Sequence, residues 1–237
     1  MLYDSLLKER PGIFGLLDPD RRPELHRIKG ALDSLTGILV GTSYLKFSGS
    51  DDFIKEIKSI TKAPVIIFPG GVDQVSGDAD GILFLSLLSG RNPRYLIGDQ
   101  VRAVFKIKDA GIEVIPTGYL LIEGGNYTSV EYMSNTRPIP RDKMEIAQAH
   151  ALAAEYLGMK FVYLEAGSGA KMPVPVEMVR AVKEIISIPL IVGGGIRTEA
   201  DIRSRFEAGC DFVVMGTIIE DDPQGFVDLV SSIKGSL

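Results

Sequence analysis

The sequence predicts an α/β chain folded as a single (β/α)8 TIM barrel over residues 1–237. Three observations carry that expectation. Short apolar runs alternate with amphipathic stretches, the pattern of a parallel sheet with crossover helices. Eight such units in 237 residues match the usual size of this barrel. The glycine clusters fall late in the chain. An open doubly wound sheet of the dinucleotide type wants its Gly-rich turn after the first strand, where this chain has Asp18-Pro19-Asp20.

The elements follow in order. A first strand, Ile13 to Leu17, ends in Asp18-Pro19-Asp20, and a helix follows from Pro23 to Ser34. The second strand, Gly37 to Val40, runs into Gly41-Thr42-Ser43, with a helix from Asp51 to Thr61. The third, Val65 to Phe68, is cut by Pro69-Gly70-Gly71, and Gly70 to Asp80 is short for a full helix. The fourth is Gly81 to Leu85, with a helix inside Pro93 to Ala110. The fifth starts at Glu113 to Ile115 and continues to Ile122; a long loop, Glu123 to Pro140, precedes a helix from Arg141 to Leu157. The sixth, Phe161 to Glu165, ends in Ala166-Gly167-Ser168-Gly169, and its helix runs from Pro175 to Ile186. The seventh, Leu190 to Val192, ends in Gly193-Gly194-Gly195, and Thr198 is the expected N-cap of a helix from Glu199 to Ala208. The eighth, Phe212 to Met215, ends in Gly216-Thr217, with a last helix from Pro223 to Ile233.

Composition narrows the function classes. Hydrophobic residues make up 45 % and charged residues 24 %, enough for a substantial core. A net charge of −5 gives no broad electrostatic case for nucleic acid or anionic lipid. One cysteine, Cys210, forbids an intramolecular disulfide and suits a reducing compartment. Met1 to Arg10 lacks the pattern of a signal peptide, and no run approaches the length of a membrane span. The expectation is a cytoplasmic protein without stable membrane insertion.

In such barrels the chemistry sits just after the strands. Phosphate binding after strands seven and eight is common there, because backbone N–H groups at a helix N-terminus carry partial positive charge. Glycine permits close approach and positive φ. Gly193-Gly194-Gly195 and Gly216-Thr217 occupy those two loops; the plain alternative is that they only make tight turns. Asp18 ends strand one as a carboxylate able to hold Mg2+, a hard cation that takes oxygen ligands, with the Ser43 hydroxyl after strand two. The alternative for Asp18 is an N-cap or Asx-turn residue leading into the first helix. Glu165 closes the apolar run Phe161-Val162-Tyr163-Leu164, where it can serve as a general base or form an internal salt bridge. His26 and His150 fall in helices. No zinc spacing, nucleophile elbow or Schiff-base lysine stands out; Lys160 precedes strand six.

At these residues the chain resembles the geranylgeranylglyceryl phosphate synthase family, which includes bacterial heptaprenylglyceryl phosphate synthases. The resemblance spans nearly the whole chain. It rests on Leu17-Asp18-Pro19-Asp20, Val40-Gly41-Thr42-Ser43, Tyr163-Leu164-Glu165-Ala166-Gly167-Ser168-Gly169-Ala170, Gly193-Gly194-Gly195-Ile196-Arg197 and Gly216-Thr217. It implies transfer of a long prenyl group from its diphosphate to the 3-hydroxyl of sn-glycerol 1-phosphate. It implies Mg2+ on Asp18 and Ser43, and glycerol 1-phosphate on Tyr163 to Gly169, Gly193 to Gly195, and Gly216-Thr217; the chemistry of an alcohol nucleophile, which needs a proton acceptor, independently points to Glu165 as base. Thr42 departs from the glycine expected there. Tyr132-Met133-Ser134-Asn135-Thr136 with Pro138 and Pro140 is similar to the larger of the family's two groups, which forms dimers or hexamers. The resemblance therefore implies a homo-oligomer that meets its lipid donor at the membrane surface. Leu83, Leu85, Leu87, Leu88, Tyr119 and Leu121 are candidates for a prenyl groove, or for barrel core.

Overall fold

A computed structural model describes residues 1–46 and 50–235. The strands are β1 (Gly12–Leu17), β2 (Gly37–Val40), β3 (Val65–Ile67), β4 (Gly81–Leu87), β5 (Glu113–Leu121), β6 (Phe161–Glu165), β7 (Leu190–Gly193) and β8 (Phe212–Met215). They hydrogen-bond in chain order and close into a barrel. The register is parallel in β1 with β2 (Leu17 opposite Val40), in β5 with β6 (Tyr119 opposite Tyr163) and in β6 with β7 (Glu165 opposite Gly193). The (β/α)8 expectation is met. The helices are α1 (Leu2–Lys8), α2 (Leu25–Asp33), α3 (Ser50–Ile60), α4 (Asp99–Ala110), α5 (Ser129–Ser134), α6 (Met144–Tyr156), α7 (Val176–Ile185), α8 (Glu199–Glu207), α9 (Thr217–Asp221) and α10 (Pro223–Lys234).

The chain divides into two compact units. The first comprises Met1–Leu83, Ala103–Val114 and Met215–Leu237. In it α1 is tied down at its start: the N–H groups of Leu2 and Tyr3 donate to the Glu113 carboxylate at 2.5 and 2.9 Å. This satisfies two donors that a helix start otherwise leaves open. Apolar residues at helical spacing face inward, Leu25, Ile28 and Leu32 on α2 and Phe226, Val230 and Ile233 on α10. Each is worth roughly 1.5–3 kcal/mol on burial. Gly15 of β1 lets α9 approach, since a Cβ there would stand 2.8 Å from Ile219. Between β3 and β4 the full helix of the repeat is replaced by one 3-10 turn, Val72–Gln74.

The second unit comprises Phe84–Arg102 and Ile115–Val214. Alanines 147, 151 and 154 form the buried stripe of α6. They let α6 lie so close to β5 that a Cβ on Gly118 would sit 2.5 Å from that of Ala154. Gly118 thus faces the helix, and the alternation of a strand turns Tyr119 to the other side. Tyr119 and Tyr163 meet edge to face at 5.4 Å, as do Phe161 and Phe212 at 5.8 Å. A π turn, Arg94–Gly98, leads into α4. The connection from β5 to β6 contains α5, begun by a Thr128–Glu131 capping box and ended by Asn135 at φ 49°.

The structure differs from the sequence reading at several points. α1, α5 and α9 are additional helices, β4 runs on to Leu87, and Gly193 belongs to β7. Leu83, Leu87, Tyr119 and Leu121 are buried as core. Leu88 Cδ1 lies 3.2 Å from a Cβ on the helix-facing side of Gly118, so Leu88 packs toward α6. No described helix is long and apolar enough to cross a membrane.

Candidate active site

In the second unit the site is built around Glu165, the last residue of β6. Tyr163 and Glu165 share one face of the strand, while Val162 and Leu164 alternate to the other. Glu165 is only 4 % exposed, and its Oε1 accepts a 2.6 Å hydrogen bond from the Gly167 N–H. Burial pushes its carboxyl up to about 6, against the opposing effect of the Tyr163 hydroxyl and the Gly167 N–H, which favour the ionised form. Tyr119 and Tyr163 are both pushed well above the usual tyrosine range, chiefly by burial and then by the charge of Glu165. No described salt bridge involves Glu165, so the internal ion pair considered for it is not what holds it. A carboxyl that titrates near neutrality, beside two neutral phenols, is equipped to take a proton.

The glycines wall this carboxylate. A Cβ on Gly193 would stand 2.9 Å from Glu165 Oε2, and one on Gly194 would stand 2.7 Å from the Gly167 nitrogen. Gly167, Gly169, Gly194 and Gly195 have φ of 97°, 74°, 82° and 73°, a region other residues avoid. Steric contact and backbone conformation therefore both demand glycine at Gly167 and Gly194. Ser168 and Gly169 are exposed, whereas Leu164 and Ala166 are buried. The loop over 166–175 is held by side chains that the sequence reading gave no role. Arg141 donates to the Glu123 and Pro173 carbonyls at 2.9 Å each, and the buried Arg205 donates to the Val174 carbonyl at 2.9 Å. Thr198 caps α8 as expected, in a capping box with Asp201.

In the first unit the site residues sit on more open loops. Asp18 follows β1 and is partly exposed. Its Oδ1 accepts from the Asp20 N–H at 2.9 Å, so the Asx turn is real, and Oδ2 lies outside that turn. Glu220 of α9 lies close enough for Asp18 to raise its pKa, although burial is the larger cause and Arg21 opposes it. Ser43, three residues beyond β2, sits on the neighbouring strand end, because Leu17 and Val40 are paired. Its loop is fastened by Gln74. Oε1 of Gln74 accepts from the N–H of Thr42 at 3.2 Å and of Gly70 at 3.3 Å, and Nε2 donates to the Thr42 carbonyl at 2.8 Å. The 3-10 turn that replaces the third helix is what delivers Gln74. Gly216 is the N-cap of α9 and Thr217 its exposed first residue.

Among the described residues no group of three or more His, Cys, Asp or Glu could hold a metal. The oxygens available on the two neighbouring strand ends are the Asp18 carboxylate and the Ser43 hydroxyl, donors of the hard kind that Mg2+ takes. The remaining candidates are structural. His26 is an exposed helical residue, His150 bonds the Ile146 carbonyl of its own helix, and the Lys160 N–H pairs with Pro116 at the start of β6.

A parallel barrel with a buried carboxylate ending β6, left-handed glycine turns beside it and a short extra helix after β8 has a layout common among (β/α)8 enzymes. Within that class the PcrB family matches residues 4–234, and the chain belongs to it. It is 48 % identical over 228 residues to the geranylgeranylglyceryl phosphate synthase of Thermococcus kodakarensis, covering 92 % of this chain and 88 % of that one. It is 47 % identical over 215 residues to the protein of the same name from Flavobacterium johnsoniae, covering 89 % and 88 %. The crystal structure of (S)-3-O-geranylgeranylglyceryl phosphate synthase from Thermoplasma acidophilum, in complex with sn-glycerol-1-phosphate, superposes with a TM-score of 0.90. That pair is 36 % identical, over 99 % of this chain and 98 % of the other.

Proposed function

We propose that this chain is a Mg2+-dependent prenyltransferase. It moves a long prenyl group, geranylgeranyl, from its diphosphate to the 3-hydroxyl of sn-glycerol 1-phosphate, giving an ether-lipid precursor. The observation that carries this reading is the Glu165 carboxylate, buried, raised to about 6 and walled by Gly193 and Gly194. The T. acidophilum relative, crystallised with sn-glycerol-1-phosphate, supports the choice of acceptor.

On this reading Tyr163, Leu164, Glu165, Ala166, Gly167, Ser168 and Gly169, with Gly193, Gly194, Gly195, Gly216 and Thr217, receive glycerol 1-phosphate. The glycine turns offer N–H groups to the phosphate, and Glu165 faces the glycerol hydroxyl. The Glu165 carboxylate takes the hydroxyl proton as the oxygen forms its bond to the allylic carbon. The bond from that carbon to the diphosphate breaks, and its electron pair leaves with the diphosphate. Asp18 and Ser43 would hold Mg2+, which supplies charge neutralisation to the departing group. The enzyme meets its donor at a membrane surface without inserting and works as a homo-oligomer.

The test is a transfer assay with radiolabelled sn-glycerol 1-phosphate, Mg2+ and prenyl diphosphates of increasing length, with sn-glycerol 3-phosphate as control. An extractable labelled lipid from the 1-phosphate alone, best with the geranylgeranyl donor and lost with EDTA, is the expected result. Folded protein that makes no lipid with any donor would end this reading.

A further inference from the structure

The stretch that carries Gly167, Ser168 and Gly169 has no repeating structure between β6 and α7, so neither a helix nor a ladder holds its backbone. Its carbonyls nonetheless have defined partners, and three of them are guanidinium groups. Arg197 donates to the Ala170 carbonyl at 3.2 Å, Arg141 to Pro173 at 2.9 Å and Arg205 to Val174 at 2.9 Å. The three come from three places in the sequence: just before α6, just before α8 and within α8. Arg205 is 6 % exposed, and its second branch is anchored to Asp201 and Ser204 of its own helix. Arg141 spans two segments, because its other nitrogen holds the Glu123 carbonyl just after β5. On the same stretch the Lys171 N–H donates to Asn126 at 2.8 Å and the Met172 N–H to the Gly124 carbonyl at 3.0 Å.

We infer that Arg141, Arg197 and Arg205 are positioning residues: they grip the Ala170, Pro173 and Val174 carbonyls at the far end of the 166–175 loop, so that the exposed Ser168–Gly169 turn is fixed for the phosphate of the acceptor substrate. The inference rests on the acceptor assignment above and deepens it. A loop that must be ordered by its ligand binds more weakly, since ordering it opposes binding; one held in advance does not bear that cost. A planar guanidinium suits the task because it donates in two directions at once and stays charged at every working pH. Three fixed positive charges behind the loop also favour an anion in front of it.

Isothermal titration of sn-glycerol 1-phosphate into wild type, R141M, R197M and R205M reads the effect without turnover. Each substitution is expected to weaken binding about tenfold, with the KM of the prenyl diphosphate held within about twofold. R141M/R205M is expected to lose less than the product of the single effects, because either loss frees the same segment. R141K keeps the charge but not the two-directional fork, and is expected to recover only part of the affinity. Wild-type affinity in folded R141M and R197M, even with a lowered Tm, would show a purely structural role and overturn the inference; these two decide if R205M does not fold. Wild-type protein that fails to bind sn-glycerol 1-phosphate would instead sink the acceptor assignment, and the inference with it.

Discussion

Two strands of this barrel end in a carboxylate, and the two carboxylates live in different surroundings. Glu165 closes β6 inside the second unit, 4 % exposed, held by a 2.6 Å amide bond and pushed up to about 6 by burial. Asp18 follows β1 in the first unit, partly exposed, with one oxygen spent on an Asx turn. The difference shows that position after a strand does not by itself assign a role. The buried group can exist neutral or charged near pH 6, which a proton acceptor needs. The open group is a partly exposed oxygen donor, the kind of ligand proposed above for Mg2+.

The comparison can be broken most forcefully at Glu165. E165Q should lower kcat by about a hundred- to ten-thousandfold and remove the rise of kcat/KM with pH through about 6 that the wild type is expected to show. The same variant should be more stable than wild type at pH 8, by about 2 kcal/mol in urea unfolding. The sign follows from a folded-state pKa raised from 4.5 to about 6: above pH 6 the native state holds a buried charge that the unfolded state solvates. The advantage should fade as pH falls from 6 to 4.5, where both states become protonated. Equal stability at pH 8 would show that the carboxylate is better solvated than its burial implies.

D18N should raise the Mg2+ concentration for half-maximal activity by roughly ten- to a hundredfold while leaving the inflection near pH 6 in place. An unchanged metal titration would remove Asp18 from the metal site. G194A places a side chain at φ 82° against the Glu165 loop and should lower Tm by about 3–8 °C. A wild-type melt would mean that the loop relaxes around a methyl group. Smallest of the four, Q74M removes two hydrogen bonds from the Ser43 loop and a third from Gly70, and should raise the Mg2+ requirement about threefold. A Q74M enzyme with the wild-type Mg2+ titration would separate that loop from the metal.

Most of the barrel was legible because its strands are apolar runs punctuated by glycine and proline, and strand ends mark where chemistry can sit. Thr198 was readable as a cap because a threonine stands directly before the helical stretch that begins at Glu199. Glu165 stood out because a charged residue closes a buried run. Other features left little local signal. α5 and α9 have six and five residues, too few to show a helical period. Gln74 lies in a polar stretch, and its importance depends on two bonds to Thr42, 32 positions away. Arg141 and Arg205 look like ordinary surface charges in sequence, yet their partners are backbone carbonyls, which no side-chain pattern reveals.

Cys210 is the chain's single cysteine, 4 % exposed, with its thiol donating to the Phe212 carbonyl and its acidity suppressed by burial. For spectroscopy this makes the molecule almost a blank canvas. A cysteine placed at the exposed Ser168 would outcompete Cys210 for a maleimide dye. One such label would let an observer ask whether the 166–175 loop stays still when sn-glycerol 1-phosphate is added, without first stripping native thiols from the chain.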